Sequence, residues 1–447
     1  MGYLTVLRSP RVARLLLGTL TGRLPAGMTV VAIALALHHA GAPYARIGLT
    51  TAAYAVAAAI GGPVLGRLVD RAGQPRVLLV SASFAACGYA ALAVAPGNPA
   101  AAMAGAALAG LAMPPLEPCL RSLWPDIVDP AALETAYALD SAAQQILYVA
   151  GPLLVAGVAA FGSPSVALWL AAGLGMLGTV TVATSAPARA WRAPVRAPGA
   201  GAGWLGPLRS PGLVLLLVAF AGTGWAIGAQ NILFVAYAQE HPGIPGGAGA
   251  LLALAALAGL LGALGYGAVR WKAPTSTRTW ALAGGMALCY LPLLLVPAPG
   301  WMAVAAFVSG LGLAPLLAAA FLLIAELAPA GTSTEAFAWL VTLFATGNAL
   351  GSAVSGALVG GSLRAAALIA VGGITAGAVL LLTTRRLLVS APVVPAPEVP
   401  APGDPAPAVP APVIGHSGSA DACPGPADSG PADSGPPVPR AHSATVS

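Results

Sequence analysis

The stretch Gly66-Arg67-Leu68-Val69-Asp70-Arg71-Ala72-Gly73-Gln74-Pro75-Arg76 decides how the rest of the chain is read. It holds four charged side chains and a Gly-Gln-Pro turn. Leu49 to Leu65 before it and Val77 to Val94 after it carry no charge. A short charged turn between two apolar runs of membrane-crossing length reads as a tight cytoplasmic loop between two transmembrane helices.

Composition agrees with that reading. Of 447 residues, 58% are hydrophobic and only 8% are charged, and the mean hydropathy is +0.84. Soluble domains carry roughly 25% charged residues. So few charges cannot cover a water-soluble protein of this size, which makes the lipid bilayer the solvent for much of the chain. Backbone groups in lipid must be satisfied within the segment, so long apolar runs are helices, and short alternating barrel strands are not seen. The net charge is +6, with Lys272 the single lysine. The arginines are scattered through short loops, so topology explains them better than nucleic acid does. Four cysteines, three of them within apolar runs, make no disulfide framework. No phosphate loop, H-E-x-x-H motif or Cys/His metal spacing occurs, so no cofactor, metal or soluble catalysis is expected.

Outward from the loop, twelve apolar runs are counted: 12–37, 46–69, 76–95, 100–124, 131–160, 165–185, 211–238, 247–269, 279–297, 300–326, 334–360 and 364–386. Arg8, Arg11 and Arg14 precede the first, but its length and its later counterpart mark it as a retained helix rather than a cleaved leader. With the N-terminus cytoplasmic, sixteen Lys and Arg fall inside and only Arg46 and Arg364 outside. This positive-inside bias places both termini in the cytoplasm. Leu7-Arg8-Ser9-Pro10 recurs as Leu208-Arg209-Ser210-Pro211, and at the same displacement Gly66 meets Gly267 and Pro114 meets Pro315. The expected organisation is therefore a six-helix half over 1–185, a Pro/Gly/Ala-rich linker over 186–210, a second six-helix half over 211–388, and a tail over 389–447. The Pro/Ala-rich tail cannot bury enough apolar area to order itself.

Twelve helices, two parallel repeats and Gly66-x-Leu68-x-Asp70-Arg71-x-Gly73-x-x-Arg76 between the second and third helices together resemble the major facilitator superfamily. The resemblance covers residue 1 to about residue 388. It implies an all-α secondary transporter whose pseudo-symmetric halves rock about a central site. In that family the aspartate matching Asp70 bridges the halves when the cytoplasmic side is closed. The start of helix 11, near Thr334, is its expected dipole partner, and Arg71 or Arg67 is expected to pair with Asp126. The gating loop is thus Gly66, Asp70, Arg71, Gly73 and Arg76. The second-half copy, Gly267-Ala268-Val269-Arg270-Trp271-Lys272, has no aspartate. Drug:proton antiporters of the family often carry an arginine in the middle of helix 4, and Gly105 to Leu111 has none. They also carry a Gly-Pro motif in helix 5, and Gly151-Pro152 sits at about that place, which suggests export.

Polar residues within the runs are the candidates for chemistry. Arg23 lies inside the first run, where a charge costs at least about 2.5–3.5 kcal/mol unless it faces a cavity and a partner or snorkels to the interface. Asp140, Gln144 and Tyr148 share one face at i, i+4 and i+8, flanked by Ser141 and Gln145. They line a water path or hold helices together. Asp140 is the first candidate for a proton carrier, set between burial, which disfavours its charge, and an arginine, which favours it. Glu117, four residues before Arg121 in the proline-rich end of the fourth run, is the second, with a plain structural ion pair to Arg121 on the same face as the alternative. Trp225, Gln230, Asn231, Trp339, Thr342 and Asn348 are candidate substrate contacts, with packing as the alternative. Glu326 and Glu335 flank the turn before the eleventh helix and are read as interfacial.

The expected function is proton-coupled efflux of a small, partly apolar molecule by a monomer in the plasma membrane. An importer of a sugar or organic acid, and a non-transporting receptor or scaffold, are the alternatives.

Overall fold

Twelve helical spans long and apolar enough to cross a membrane occur among the described residues of this computed structural model, and every regular element there is helical. The structure describes residues 3, 10–194, 205–269, 271–359 and 362–388. The expected tail and residues 195–204 of the expected linker lie outside that set. The spans are α1 Pro10–His39, α2 Tyr44–Ala72, α3 Gln74–Val94, α4 Pro99–Ile127, α5 Leu133–Phe161, α6 Ser165–Ala183, α7 Pro211–Glu240, α8 Gly247–Ala268, α9 Thr275–Tyr290, α10 Pro299–Leu327, α11 Ser333–Val359 and α12 Leu363–Thr383. Each overlaps one apolar run of the sequence. Arg278, read from the sequence as a loop residue, lies in the first turn of α9.

Local chemistry sets the boundaries. α2 and α3 are separated by one residue, Gly73, at φ +84°, a conformation that costs glycine little. The Asn98 side chain accepts from the amides of Ala100 and Ala101 and starts α4, with Pro99 in the first turn. Ser210 caps α7 in the same way through Leu213. α4 is broken into Pro99–Leu111 and Leu116–Ile127, because Pro114 and Pro115 donate no hydrogen bond. α10 breaks at the matching level, between Gly310 and Leu313.

The first six helices pack mainly among themselves, α1 on α5 and α6, α2 on α4, and α3 on α4 and α6; the last six do likewise, α7 on α11 and α12, α8 on α10, and α9 on α10 and α12. The two sets meet through α2 on α11, α5 on α8 and α10, and α4 on α11. Within the last six, α7 and α11 touch backbone to backbone. A Cβ on Gly228 would lie 2.0 Å from the Asn348 carbonyl, and one on Gly351 would lie 2.1 Å from the Trp225 carbonyl.

Candidate functional site

The broken α4 brings two acidic and two basic side chains together. Glu117 stands in the first turn of the lower α4 segment, and Arg121 lies one turn further. Arg23 arrives from the middle of α1 and Asp140 from the second turn of α5. Arg23 donates to Asp140 Oδ1 at 2.8 Å and to Glu117 Oε2 at 2.9 Å. Arg121 donates to Asp140 Oδ2 at 2.8 Å and to Glu117 Oε1 at 2.5 Å. Each arginine therefore holds both carboxylates in a closed, formally neutral ring. Arg23, Arg121 and Asp140 are buried, and Glu117 is the most open member at 15% side-chain exposure. Mutual pairing is what makes such burial tolerable, because one uncompensated charge would cost several kcal/mol.

The ring extends in two directions. Arg121 donates to the Gln144 carbonyl at 3.2 Å, and the Gln144 amide donates to the Tyr148 hydroxyl at 2.9 Å. The face shared by Asp140, Gln144 and Tyr148 is thus one connected polar stripe. On its other side the Arg121 guanidinium carbon lies 3.4 Å from the centre of the Phe321 ring on α10, a cation–π contact between the two helix sets. Tyr137 donates to the Arg121 carbonyl at 3.1 Å and packs with Phe321 and Phe337 in an aromatic cluster.

Above the ring is a cavity of about 290 Å³. Arg23, Glu117, Gln144 and Tyr148 supply its polar wall. The opposite wall is α2 with Ala55, Ala58 and Ala59, and α11 with Ala338, Val341 and Ala345. Exposure rises away from the ring: Pro118 and Ala338 are buried, whereas Tyr148, Ala55 and Ala345 are exposed.

Below the ring, the end of the bundle that carries the Gly66–Arg76 turn is closed. Asp70 accepts from the backbone amides of Thr334 at 3.1 Å and Glu335 at 2.9 Å. Those amides form the N-terminus of α11, where a carboxylate is favoured by orphan donors and the helix dipole. Arg67 forms a bidentate pair with Glu335, which is itself buried. This corrects the expected pairing with Asp126, which is exposed and makes no ion pair among the described residues. The reason is geometric: one turn before Asp70, Arg67 faces the same α11 terminus. Gly66 allows the approach, since a Cβ there would meet the Glu335 Cα at 3.0 Å and the Ala338 Cβ at 3.1 Å. Gln74 is fully buried and donates to the Cys119 carbonyl at 3.1 Å, and Ser122 shares a 2.9 Å hydrogen bond with Thr334. Arg71 and Arg76 are exposed. A second bridge joins the helix sets at the same end. Glu134 pairs with Arg278, and Thr135 donates to the Gly267 carbonyl at 3.1 Å.

Of the other sequence candidates, Thr342 lines the cavity and donates to the Ala59 carbonyl at 3.3 Å. Gln145, Trp225, Gln230, Asn231, Trp339 and Asn348 are not among its lining residues. Gln145 turns toward Gly259 of α8. Trp225 and Asn348 lie at the tight α7–α11 crossing, where the close backbones leave no space for a cavity. Gln230 is buried, Asn231 is half-buried on α7, and Trp339 packs against the core. Glu326 accepts from Thr275 at 2.7 Å. Sequence reading missed the Arg67–Glu335 and Glu134–Arg278 pairs and the role of Phe321. Glu134 and Glu335 stand at the repeat displacement already seen for Gly66 and Gly267, so one signal for the pairs was present.

The human organic anion transporter MFSD10 (TETRAN) superposes with a TM-score of 0.63 at 17% identity, covering 86% of this chain and all of that one. A bacterial homologue of the iron transporter ferroportin, in an outward-facing state, superposes with a TM-score of 0.67 at 15% identity, covering 83% of this chain and 98% of that one. At these identities the likeness is one of fold. No curated protein sequence matches the chain. The profile of the Major Facilitator Superfamily matches residues 15–302, well over half of the sequence. The chain belongs to the Major Facilitator Superfamily.

Proposed function

We propose that this chain is a proton-coupled secondary transporter that moves a small, partly apolar molecule across the plasma membrane by alternating access, with the Gly66–Arg76 end cytoplasmic and the monomer as the working unit. The observation that carries the reading is the neutral ring of Arg23, Arg121, Glu117 and Asp140, two members of which form the floor of the cavity. A proton delivered to Glu117 or Asp140 removes one negative charge and loosens the hold on an arginine. The Asp70 and Arg67 contacts to α11 then break or reseal as the two helix sets rock.

Two directions have support. Export is favoured by Gly151-Pro152 in α5, as in the family's antiporters. Uptake of an organic acid is favoured by the arginine at the cavity floor. Proteoliposomes with a trapped pH dye, challenged with a compound panel under imposed proton gradients of either sign, separate the two. Asp140→Asn and Glu117→Gln are expected to abolish proton-linked flux. Normal gradient-driven transport in both variants would refute the coupling role.

A further inference from the structure

Resting on the reading that the charge ring is the coupling site, we infer that the cargo is an amphiphilic monoanion, with one acidic head and an apolar body, that takes the place of the Glu117 carboxylate on Arg23 while Glu117 takes up a proton. Three observations lead there.

The first is charge balance. The ring holds two arginines and two carboxylates and is neutral. An additional anion is unfavourable in this buried setting unless a negative charge is removed at the same time. A cationic head fares worse. It would have to share Glu117 with Arg23 at 2.9 Å and Arg121 at 2.5 Å while lying against both. An anionic head needs only one exchange: the Arg23–Glu117 ion pair breaks, an Arg23–cargo ion pair forms, and a proton from the aqueous cavity neutralises Glu117. Charge balances, and the Arg121–Glu117 ion pair becomes a hydrogen bond to the neutral carboxyl.

The second is which carboxylate is free to leave. Asp140 is 1% exposed and does not line the cavity, whereas Glu117 is 15% exposed and does. The groups that face Glu117 are Arg23 from α1, Arg121 from its own helix, and Tyr148 from α5, with Asp140 beyond the arginines. Tyr54 of α2 also borders the cavity, and α11 contributes only Ala338, Val341, Thr342 and Ala345, none of which titrates. Among the described residues, Glu117 is thus the one carboxylate at the cavity surface.

The third is the hydrogen-bonding surplus. Gln144 spends its carbonyl on Arg121 and one N–H on the Tyr148 oxygen. Its other N–H and the Tyr148 O–H have no acceptor among the described residues and lie in the cavity wall beside Arg23. Unspent donors next to a guanidinium suit an acceptor-bearing anionic head. Facing them, the small apolar side chains of α2 and α11 fit an apolar body. Cargo and proton then travel in the same direction, which selects cotransport over exchange.

The test uses the full chain in nanodiscs, with binding read as thermal stabilisation. The probes are toluenesulfonate, its neutral counterpart toluenesulfonamide, and the cation methylbenzylammonium. The sulfonate stays ionised in both mildly acidic and mildly alkaline buffer, so any pH dependence belongs to the protein. The sulfonate alone is expected to bind, with affinity rising by up to about tenfold for each pH unit lost, the limit for one linked proton. Glu117→Gln mimics the protonated carboxyl and leaves Arg23 available. It is expected to bind the sulfonate at alkaline pH as tightly as the parent does at acidic pH, within about twofold, and without pH dependence. Absence of sulfonate binding in both proteins overturns the inference, as does unchanged pH dependence in Glu117→Gln. Stronger binding of the cation, or of the neutral amide, in a pH-dependent manner also overturns it, while leaving the ring as a proton-coupling site. Binding of any probe with no pH dependence in the parent would overturn the coupling reading itself.

Discussion

Asp70→Asn isolates the closure at the Gly66–Arg76 end. In the closed state the carboxylate accepts from two backbone amides at the α11 N-terminus. Asparagine keeps one oxygen but sets an –NH₂ group against the other N–H donor. One charge-assisted hydrogen bond is lost, about 1.5–3 kcal/mol. Removing the negative charge from the helix terminus loses about another 0.3–1 kcal/mol. The closed state is therefore weakened by about 2–4 kcal/mol, which shifts the closed-to-open ratio by about 30- to 1000-fold. The assay places a reporter in the seam. Ser122, which bonds Thr334 across it, is replaced by cysteine in a background with Cys87, Cys119, Cys289 and Cys423 removed. At maleimide concentrations where opening and closing are fast relative to alkylation, labelling tracks the open population, so Asp70→Asn should accelerate it by the same factor. A rate within about twofold of the parent refutes the claim that this carboxylate holds the seam shut.

Three further outcomes follow from the same geometry. Arg67→Gln leaves Glu335 buried without its cation and should weaken closure by about 3–5 kcal/mol, whereas Arg278→Gln at the more open Glu134 pair should cost about 1 kcal/mol; the same labelling assay ranks them. Gly66→Val forces α11 away from α2 and should weaken closure by about 1–3 kcal/mol, seen as faster labelling without loss of folded protein. Asp140→Asn leaves two buried arginines with one carboxylate and should destabilise the protein by about 3–5 kcal/mol, while Arg23→Gln combined with Asp140→Asn restores neutrality and should recover most of the lost thermal stability.

The fold was legible because membrane crossing needs long uncharged runs, and these survive in the sequence as blocks between charged turns. The broken α4 was legible as well, since Pro114-Pro115 removes two amide donors regardless of context. Arg23, Glu117, Arg121 and Asp140 stood out because charge in an apolar run is costly, and Glu117 with Arg121, and Arg23 with Asp140, were readable as pairs. Their closure into one ring was not readable, because it depends on how α1, α4 and α5 rotate about their axes. The same limit explains Trp225 and Asn348. Both are polar-capable residues on plausible faces, but the glycines of α7 and α11 close that crossing, and no composition rule announces which helix pair will collapse. Phe321 gave no signal, since a phenylalanine in an apolar run is unremarked until an arginine lies over it.

The two bridges at the closed end use glutamates at the repeat displacement, Glu134 and Glu335, in unequal settings. Glu335, at 2% side-chain exposure, is clamped beneath the seam with Asp70 on its backbone amide, whereas Glu134 stands at 20% and has no counterpart to that aspartate. Water and salt reach Glu134 before Glu335, so ionic strength should loosen α5 from α9 before it parts α2 from α11. The duplication thus provides a preferred order of parting: one seam yields early and the other serves as the pivot. Separation would then proceed as a swing from one side rather than as a symmetric gape.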